Sequence, residues 1–346
     1  MRGSAAGWAF VAPAVIVLGV FLLIPIVMAA WVSISDWTGR GSPLAAGYAG
    51  LRNYTKLLGG GLPTKDFGTA LRNNFYYFLL VVPLQTILSL GLAILVNRRA
   101  LRGKGFFRTA FYFPSVTSSV AITTLWTFLF STSGVINVVF RAIGARGPNW
   151  FNDPRGLFYV IAGVSQPTAT PSTPTFLGIT VWDWLSGPSI AMCAFILMAI
   201  FTTSGTFMLL FLAALQAIGE ETDEAALIDG ASAWRRIRYV TVPLLRPTII
   251  SVLTLGTIGT WQVFDQMYVA GQGAPAKTTL SLAFLAYQAA FTNGQWGRGA
   301  AISFVLFALI VVFNLVFRAI VGGTDPMRSR RHTRRRAATG GKAGKP

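Results

Sequence analysis

The sequence predicts an all-α membrane protein with six transmembrane helices, and three observations carry that prediction. Hydrophobic residues make up 53% of the 346 and charged ones only 12%. The apolar residues come in blocks, not at amphipathic spacing, which excludes an ordinary soluble domain. Six blocks reach the roughly 20 residues that cross a bilayer core: about 8–35, 73–97, 107–131, 189–216, 244–269 and 299–321.

Residues 1–7 form a short N-terminus ahead of the first span. Ala29 and Ala30 superficially suit a cleavage site, yet the apolar run from Trp8 to Val32 is much longer than the about 7–15 residues of a signal-peptide core. It is read as a retained helix, kinked or bounded by Pro13 and Pro25. Segment 36–72 is Gly-rich, and LRNYTKLL from Leu51 to Leu58 reads as a short outer helix. The insert 132–188 carries VINVVFRAIG from Val135 to Gly144, spaced like an interfacial helix. Its Pro/Thr-rich stretch from Gln166 to Thr175 is expected to stay irregular and exposed. Cys193, the sole cysteine, stands in the fourth span as a packing residue and allows no disulfide within one chain. TNGQWGRGAA, with Gly294, Gly297 and Gly299, reads as an outer turn into the last helix, and 322–346 is a basic tail.

Orientation follows from the basic residues. Arg98, Arg99, Arg102, Lys104 and Arg108 crowd the second loop, Arg235 to Arg246 the fourth, and nine Arg or Lys follow from Arg318. The positive-inside tendency makes these regions cytoplasmic, so both termini lie inside and 36–72, 132–188 and 270–298 face outward. The net charge of +18 and the run RSRRHTRRR could serve nucleic acid. For a tail directly after a membrane span, anionic lipid and topology control are the simpler partners.

The interruption EAALIDGASAWRRIRYVTVP, from Glu224 to Pro243, is the most informative stretch. Five of the chain's 11 acids, Glu220, Glu221, Asp223, Glu224 and Asp229, precede Arg235, Arg236 and Arg238. Acids suit the positive end of a short helix, Ala225, Ala226 and Leu227 favour helix, and Gly230 lets the backbone turn or approach a partner closely. The predicted shape is helix, tight turn, helix, with a stop at Pro243: a knob for a groove on another protein.

This stretch resembles the loop that marks the membrane subunits of ABC importers: Glu-Ala-Ala, three residues, Gly, nine residues, then aliphatic, any residue, aliphatic and Pro. Glu224, Ala225, Ala226, Gly230, Val240, Val242 and Pro243 fill those places. Residues 8–320 as a whole resemble sugar-importer permeases of the maltose and sn-glycerol-phosphate type. The landmarks, in order, are FLLIPIVMAAWVSISDW, LRNY, FFRTAFYFPSV, NWFNDP at 149–154 and FDQMYV at 264–269. Two departures stand out: Gly219 and Asp223 occupy places where the family carries Pro and Tyr, and the Pro/Thr-rich insert is longer than the usual link. The resemblance implies the type I ABC importer permease fold. It further implies that the cytoplasmic loop 219–243 meets an ATPase through Glu224, Ala225, Ala226, Asp229, Gly230 and Pro243, and that solute contacts fall near Thr203, Thr206, Trp261 and Gln262.

The chemistry that is absent agrees with a divided machine. No GxxxxGK[ST] loop occurs; Gly103-Lys104 and Gly341-Lys342 lack the following Ser or Thr. His332, the single histidine, lies in the tail, and no His, Cys or carboxylate cluster marks a catalytic or metal centre. What remains is a polar path. The fourth span offers Thr202, Thr203, Ser204 and Thr206; the fifth offers Thr257, Thr260, Gln262, Asp265 and Gln266 around Trp261. Hydroxyls, amides and an aromatic face suit a sugar. Ser and Thr equally bond back to helix carbonyls or join helices, and both readings stand for each Thr. Gln262 and Asp265 are costlier to bury and favour function, though Asp265 near the outer end is open to hydration.

The expected protein is therefore one permease subunit of an ATP-driven importer of a di- or oligosaccharide in the plasma or inner membrane of a prokaryote. Its expected partners are a second, related permease in a heterodimer, two ATPase subunits that bind ATP and Mg, and an extracytoplasmic solute-binding protein. No cofactor in this chain and no nucleic acid are expected. A glycerol-phosphate-type solute is the alternative, but it would want cationic side chains that no span interior carries. An ion-coupled secondary transporter would need internal repeats or a carboxylate relay, and neither is evident. A scaffold that binds a soluble partner without transport is a further rival; the polar residues of spans four and five argue against it.

Overall fold

The computed structural model describes residues 2–98, 101–168, 170 and 172–322. Arg99 and the basic tail, with Arg328 to Arg336 and His332, lie outside the described residues. Among the described residues, five helices are long and apolar enough to cross a membrane: Gly7–Ser33, Gly61–Asn97, Ile190–Ala217, Arg246–Ala270 and Trp296–Ala319.

The first of these comprises α1 (Arg2–Leu18), a π turn (Gly19–Leu23) and α2 (Ile24–Ser33), with Pro13 inside α1 and Pro25 in the first turn of α2. Its apolar side chains point out of the molecule, Phe10 and Phe21 being 88% and 78% exposed. Only its last residues are held. The Asn53 amide, from α3 (Arg52–Leu58), donates to the carbonyls of Ser33 (3.0 Å) and Ser35 (2.8 Å). This satisfies carbonyls that a helix end leaves without a partner.

Helix α4 (Gly61–Asn97) has 37 residues and rises for roughly 55 Å at about 1.5 Å per residue. It therefore outreaches the hydrocarbon layer on the insert side. The predicted third block, 107–131, is not one helix. It divides into α5 (Lys104–Val116) and α6 (Ser119–Leu129), with Thr117 and Ser118 extended between them. Pro114 lies in the last turn of α5, where its missing N–H weakens the ladder just before the break.

The insert folds as α7 (Val135–Ala142), α8 (Leu157–Ala162), a hairpin of β1 (Thr175–Phe176) and β2 (Ile179–Thr180), and α9 (Val181–Leu185). The described residues of the Pro/Thr-rich stretch are irregular up to the hairpin. Buried Asp153 accepts from Arg155 Nη2 at 2.6 Å, and that hydrogen-bonded partner holds its carboxyl below the usual range.

Helix α10 (Ile190–Ala217) starts at a Ser189 cap and buries Met192, Met198, Met208 and Phe211 almost completely. Next come α11 (Glu220–Ile228), α12 (Ala233–Arg236), a π turn (Ile237–Thr241) and α13 (Val242–Leu244). The fifth predicted block is α14 (Arg246–Trp261), which stops and resumes as α15 (Asp265–Ala270). α16 (Leu282–Tyr287) and α17 (Trp296–Gly322) are the last helices among the described residues.

Non-helical backbone within a membrane protein must be satisfied by the protein itself. Three consecutive buried residues of α4 do this. Arg72 Nη1 donates to the Asp183 carbonyl of the insert (3.1 Å). The Asn73 amide donates to the carbonyls of Lys277 (2.9 Å) and Leu280 (3.0 Å). The Asn74 amide donates to the carbonyls of Thr260 (3.3 Å) and Trp261 (3.1 Å), while its Oδ1 accepts from Leu282 N (2.8 Å). Asn74 thus binds the end of α14 and the start of α16 in one grip.

Asn74→Ala leaves these backbone groups buried and unpaired, at a cost of about 1–3 kcal/mol for each group stranded. The expected loss is about 2–4 kcal/mol in denaturant unfolding of the detergent-solubilised protein; a loss below about 0.5 kcal/mol would show that the break is held otherwise.

Candidate functional site

A cavity of about 270 Å³ lies where the break between α14 and α15 faces α4 and α10. Helix α4 contributes Tyr77, Val81 and Gln85; α10 contributes Ala199, Thr203 and Phe207; α14 contributes Gly256, Gly259 and Thr260. The break and α15 add Gln262, Asp265 and Gln266. Interrupting the helix lets these last residues reach one cavity, where Gln262 and Asp265 are exposed and Gln266 is half-buried; a straight helix would carry residues 262–266 around its whole circumference. Among the described residues, Asp265 is the only Asp, Glu, Lys or Arg in the lining, and the walls are otherwise hydroxyl, amide and apolar. Among the described residues, no three His, Cys, Asp or Glu side chains gather at one place.

Of the residues singled out in the sequence, Thr203, Thr260, Gln262, Asp265 and Gln266 line this cavity. Thr206 is exposed and does not line it. Trp261 is fully buried on the far side of α14, stacked on Phe313 with ring centroids 4.9 Å apart and leaning on Phe78 at 5.9 Å. It serves the core between α4, α14 and α17. The Ser and Thr readings left open divide in the structure. Thr202, Ser204, Thr257 and Thr260 bond back to carbonyls of their own helices. Thr203 does so too, to Ala199 at 2.7 Å, and also meets Gln85 Oε1 at 2.6 Å.

Two cavity residues lie on a helix that the sequence presents as plain apolar span. Tyr77 is buried and donates to Gln266 Oε1 at 3.1 Å. Gln85 is 1% exposed. The signal for it was available, since Gln85 is the one amide in the middle of the 73–97 run and a polar group there is costly without a purpose.

The second feature is the polar knob. Gly230 takes φ +73°, its N donates to the Leu227 carbonyl, and Ala231 N donates to that of Ala226, both at 3.0 Å. These are the bonds of a left-handed helix cap, where a glycine avoids the Cβ penalty. Ser232 then caps α12. Glu224, Ala225, Asp229 and Pro243 are exposed, and Ala226 is the buried member of the set. Sequence reasoning did not single out the knob's apolar side chains: Ile228 is 86%, Trp234 71% and Tyr239 73% exposed. Large apolar groups rimmed by charge mark a surface built for a partner.

Residues 85–327 match the family model described as binding-protein-dependent transport system inner membrane component. The lactose transport system permease protein LacF of Rhizobium radiobacter is 33% identical over 90% of this chain and 92% of its own. The trehalose/maltose transport system permease protein MalF of Thermococcus litoralis is 30% identical over 91% of this chain and 93% of its own. Among solved structures, a chain of a bacterial ABC transporter involved in import of the acidic polysaccharide alginate superposes with TM-score 0.69 at 18% identity, covering 93% of this chain and 97% of that one. That likeness is one of fold.

Trp261→Ala opens a hole in a packed core, so a loss of about 2 kcal/mol or more is expected in unfolding, against about 0.5 kcal/mol or less for Gln262→Ala. The reverse order would return Trp261 to the cavity wall.

Proposed function

The chain belongs to the family of binding-protein-dependent transport system inner membrane components, and from that premise we propose that it is one permease subunit of an ATP-driven sugar importer. One observation carries the solute class: the cavity at the helix break has a single charged lining residue, with Tyr77, Gln85, Thr203, Gln262 and Gln266 supplying hydrogen-bonding groups. Lactose and trehalose/maltose permease names among the relatives support the same class. A phosphate ester would need a cation, and the lining has none.

On this reading the chain crosses the membrane six times, with α5 and α6 together making the third crossing and both termini in the cytoplasm. A second, related permease supplies the other half of the path. The α11–α12 knob enters an ATPase subunit, with Ile228 and Trp234 burying apolar surface and Gly230 keeping the turn tight. ATP and Mg are bound by that partner, since this chain has no phosphate-binding loop. Closure of the ATPase pair moves the knob, and α10 and α14, joined to it at either end, carry the displacement to the cavity. The outward state then receives solute from an extracytoplasmic binding protein, and the return releases it inside.

The test is ATP-dependent uptake of labelled sugars by the assembled importer in proteoliposomes. Gly230→Trp forces a bulky residue into left-handed backbone, strained by roughly 1–2 kcal/mol, at the docking face. We expect uptake and ATPase association to fall at least about tenfold, the equivalent of about 1.4 kcal/mol. Gln262→Ala should preserve assembly and change the relative rates among sugars. Unimpaired ATP-driven uptake by Gly230→Trp would remove the docking assignment.

A further inference from the structure

Gln85 is nearly sealed inside the protein, yet its amide is only half satisfied. The Thr203 hydroxyl has one proton and two close neighbours, the Ala199 carbonyl at 2.7 Å and Gln85 at 2.6 Å. If the proton goes to Gln85 Oε1, the amide nitrogen has no partner. If it goes to Ala199, the amide must turn its N–H to Thr203, and the carbonyl end is then left over; the two ends of an amide are assigned only by their neighbours. One tethered end and one unpaired end result either way. The unpaired end faces Gly256, where any side chain would collide with it. Gln85, Thr203 and Gly256 all line the cavity. A buried amide end without a partner is destabilising, and the glycine opposite leaves it the space it occupies.

We propose that Gln85, oriented by Thr203, is a solute-contacting, specificity-determining residue whose unpaired amide end hydrogen-bonds one hydroxyl of the transported sugar. The inference rests on the sugar-permease reading and extends it to a helix, α4, that carries no predicted contact. A hydroxyl is the fitting group because it both donates and accepts, and so pairs with whichever end of the amide is presented. Tyr77, eight residues earlier on the same face and bonded to Gln266, lies about 12 Å along the helix. The two anchored groups suit a solute longer than one small polar molecule.

The experiment compares native and Gln85→Leu importers, complete with their partner subunits and binding protein, in ATP-loaded proteoliposomes at saturating solute. The probes are labelled lactose and maltose and their monodeoxy derivatives. The native complex should transport one monodeoxy derivative about 3–10-fold more slowly than the parent sugar, the worth of one hydrogen bond. In Gln85→Leu that ratio should fall to near one while the ratios for other positions stay unchanged, a coupling that a purely structural role would not produce. Equal ratios in the two complexes, or no discrimination at any hydroxyl by the native one, overturn the proposal. If Gln85→Leu fails to assemble, Gln85→Asn, which withdraws the amide by one methylene, is read the same way, and unchanged ratios again overturn it. If the native complex carries neither, the same comparison is made on a labelled sugar it does carry; a native complex that carries no sugar fails the sugar reading itself, and the proposal falls with it.

Discussion

A membrane helix can be interrupted only where the protein supplies hydrogen-bond partners for the backbone it frees, and in this chain those partners stand on α4. Asn74 binds the carbonyls of Thr260 and Trp261 and the amide of Leu282, while Asn73 holds Lys277 and Leu280. The break between α14 and α15, the turn of Gln262 toward the cavity and the entry to α16 all depend on these contacts. Arg72, next in line, fastens the insert. Three neighbouring polar residues thereby connect the insert, the broken span and the segment before α16 to a single helix.

The same helix takes part in both the apolar core and the polar cavity. Its successive faces enter three buried clusters, through Phe78 and Val82, Tyr77 and Val81, and Ala93 and Val96. Trp261 and Gln262 show how sharply the two environments are divided: one is stacked on Phe313, the other lines the cavity. A long buried helix beside an interrupted one lets polar groups of both face the same cavity.

The knob has a different physical character. Its fold is local, set by the left-handed cap at Gly230 and the Ser232 cap of α12, so it needs little from the rest of the chain. Its exposed Ile228 and Trp234 are costly to leave in water.

The sequence alone determined the membrane class, the apolar blocks and the helix-turn-helix of 219–243, and it singled out Gln262 and Asp265, which line the cavity at the helix break. Each of these is written in composition or in short-range spacing, which act before any tertiary contact forms. The tertiary structure decided the rest. It divided 107–131 at Thr117 and Ser118, turned Trp261 into the core and Thr206 away from the cavity, and brought Gln85 to Thr203 across 118 positions of chain. Periodicity reports that a residue lies in a helix, but the direction its side chain faces depends on which helices surround it. Where the break in α14 falls depends on Asn74, nearly two hundred residues away, whose role only the packed fold makes visible.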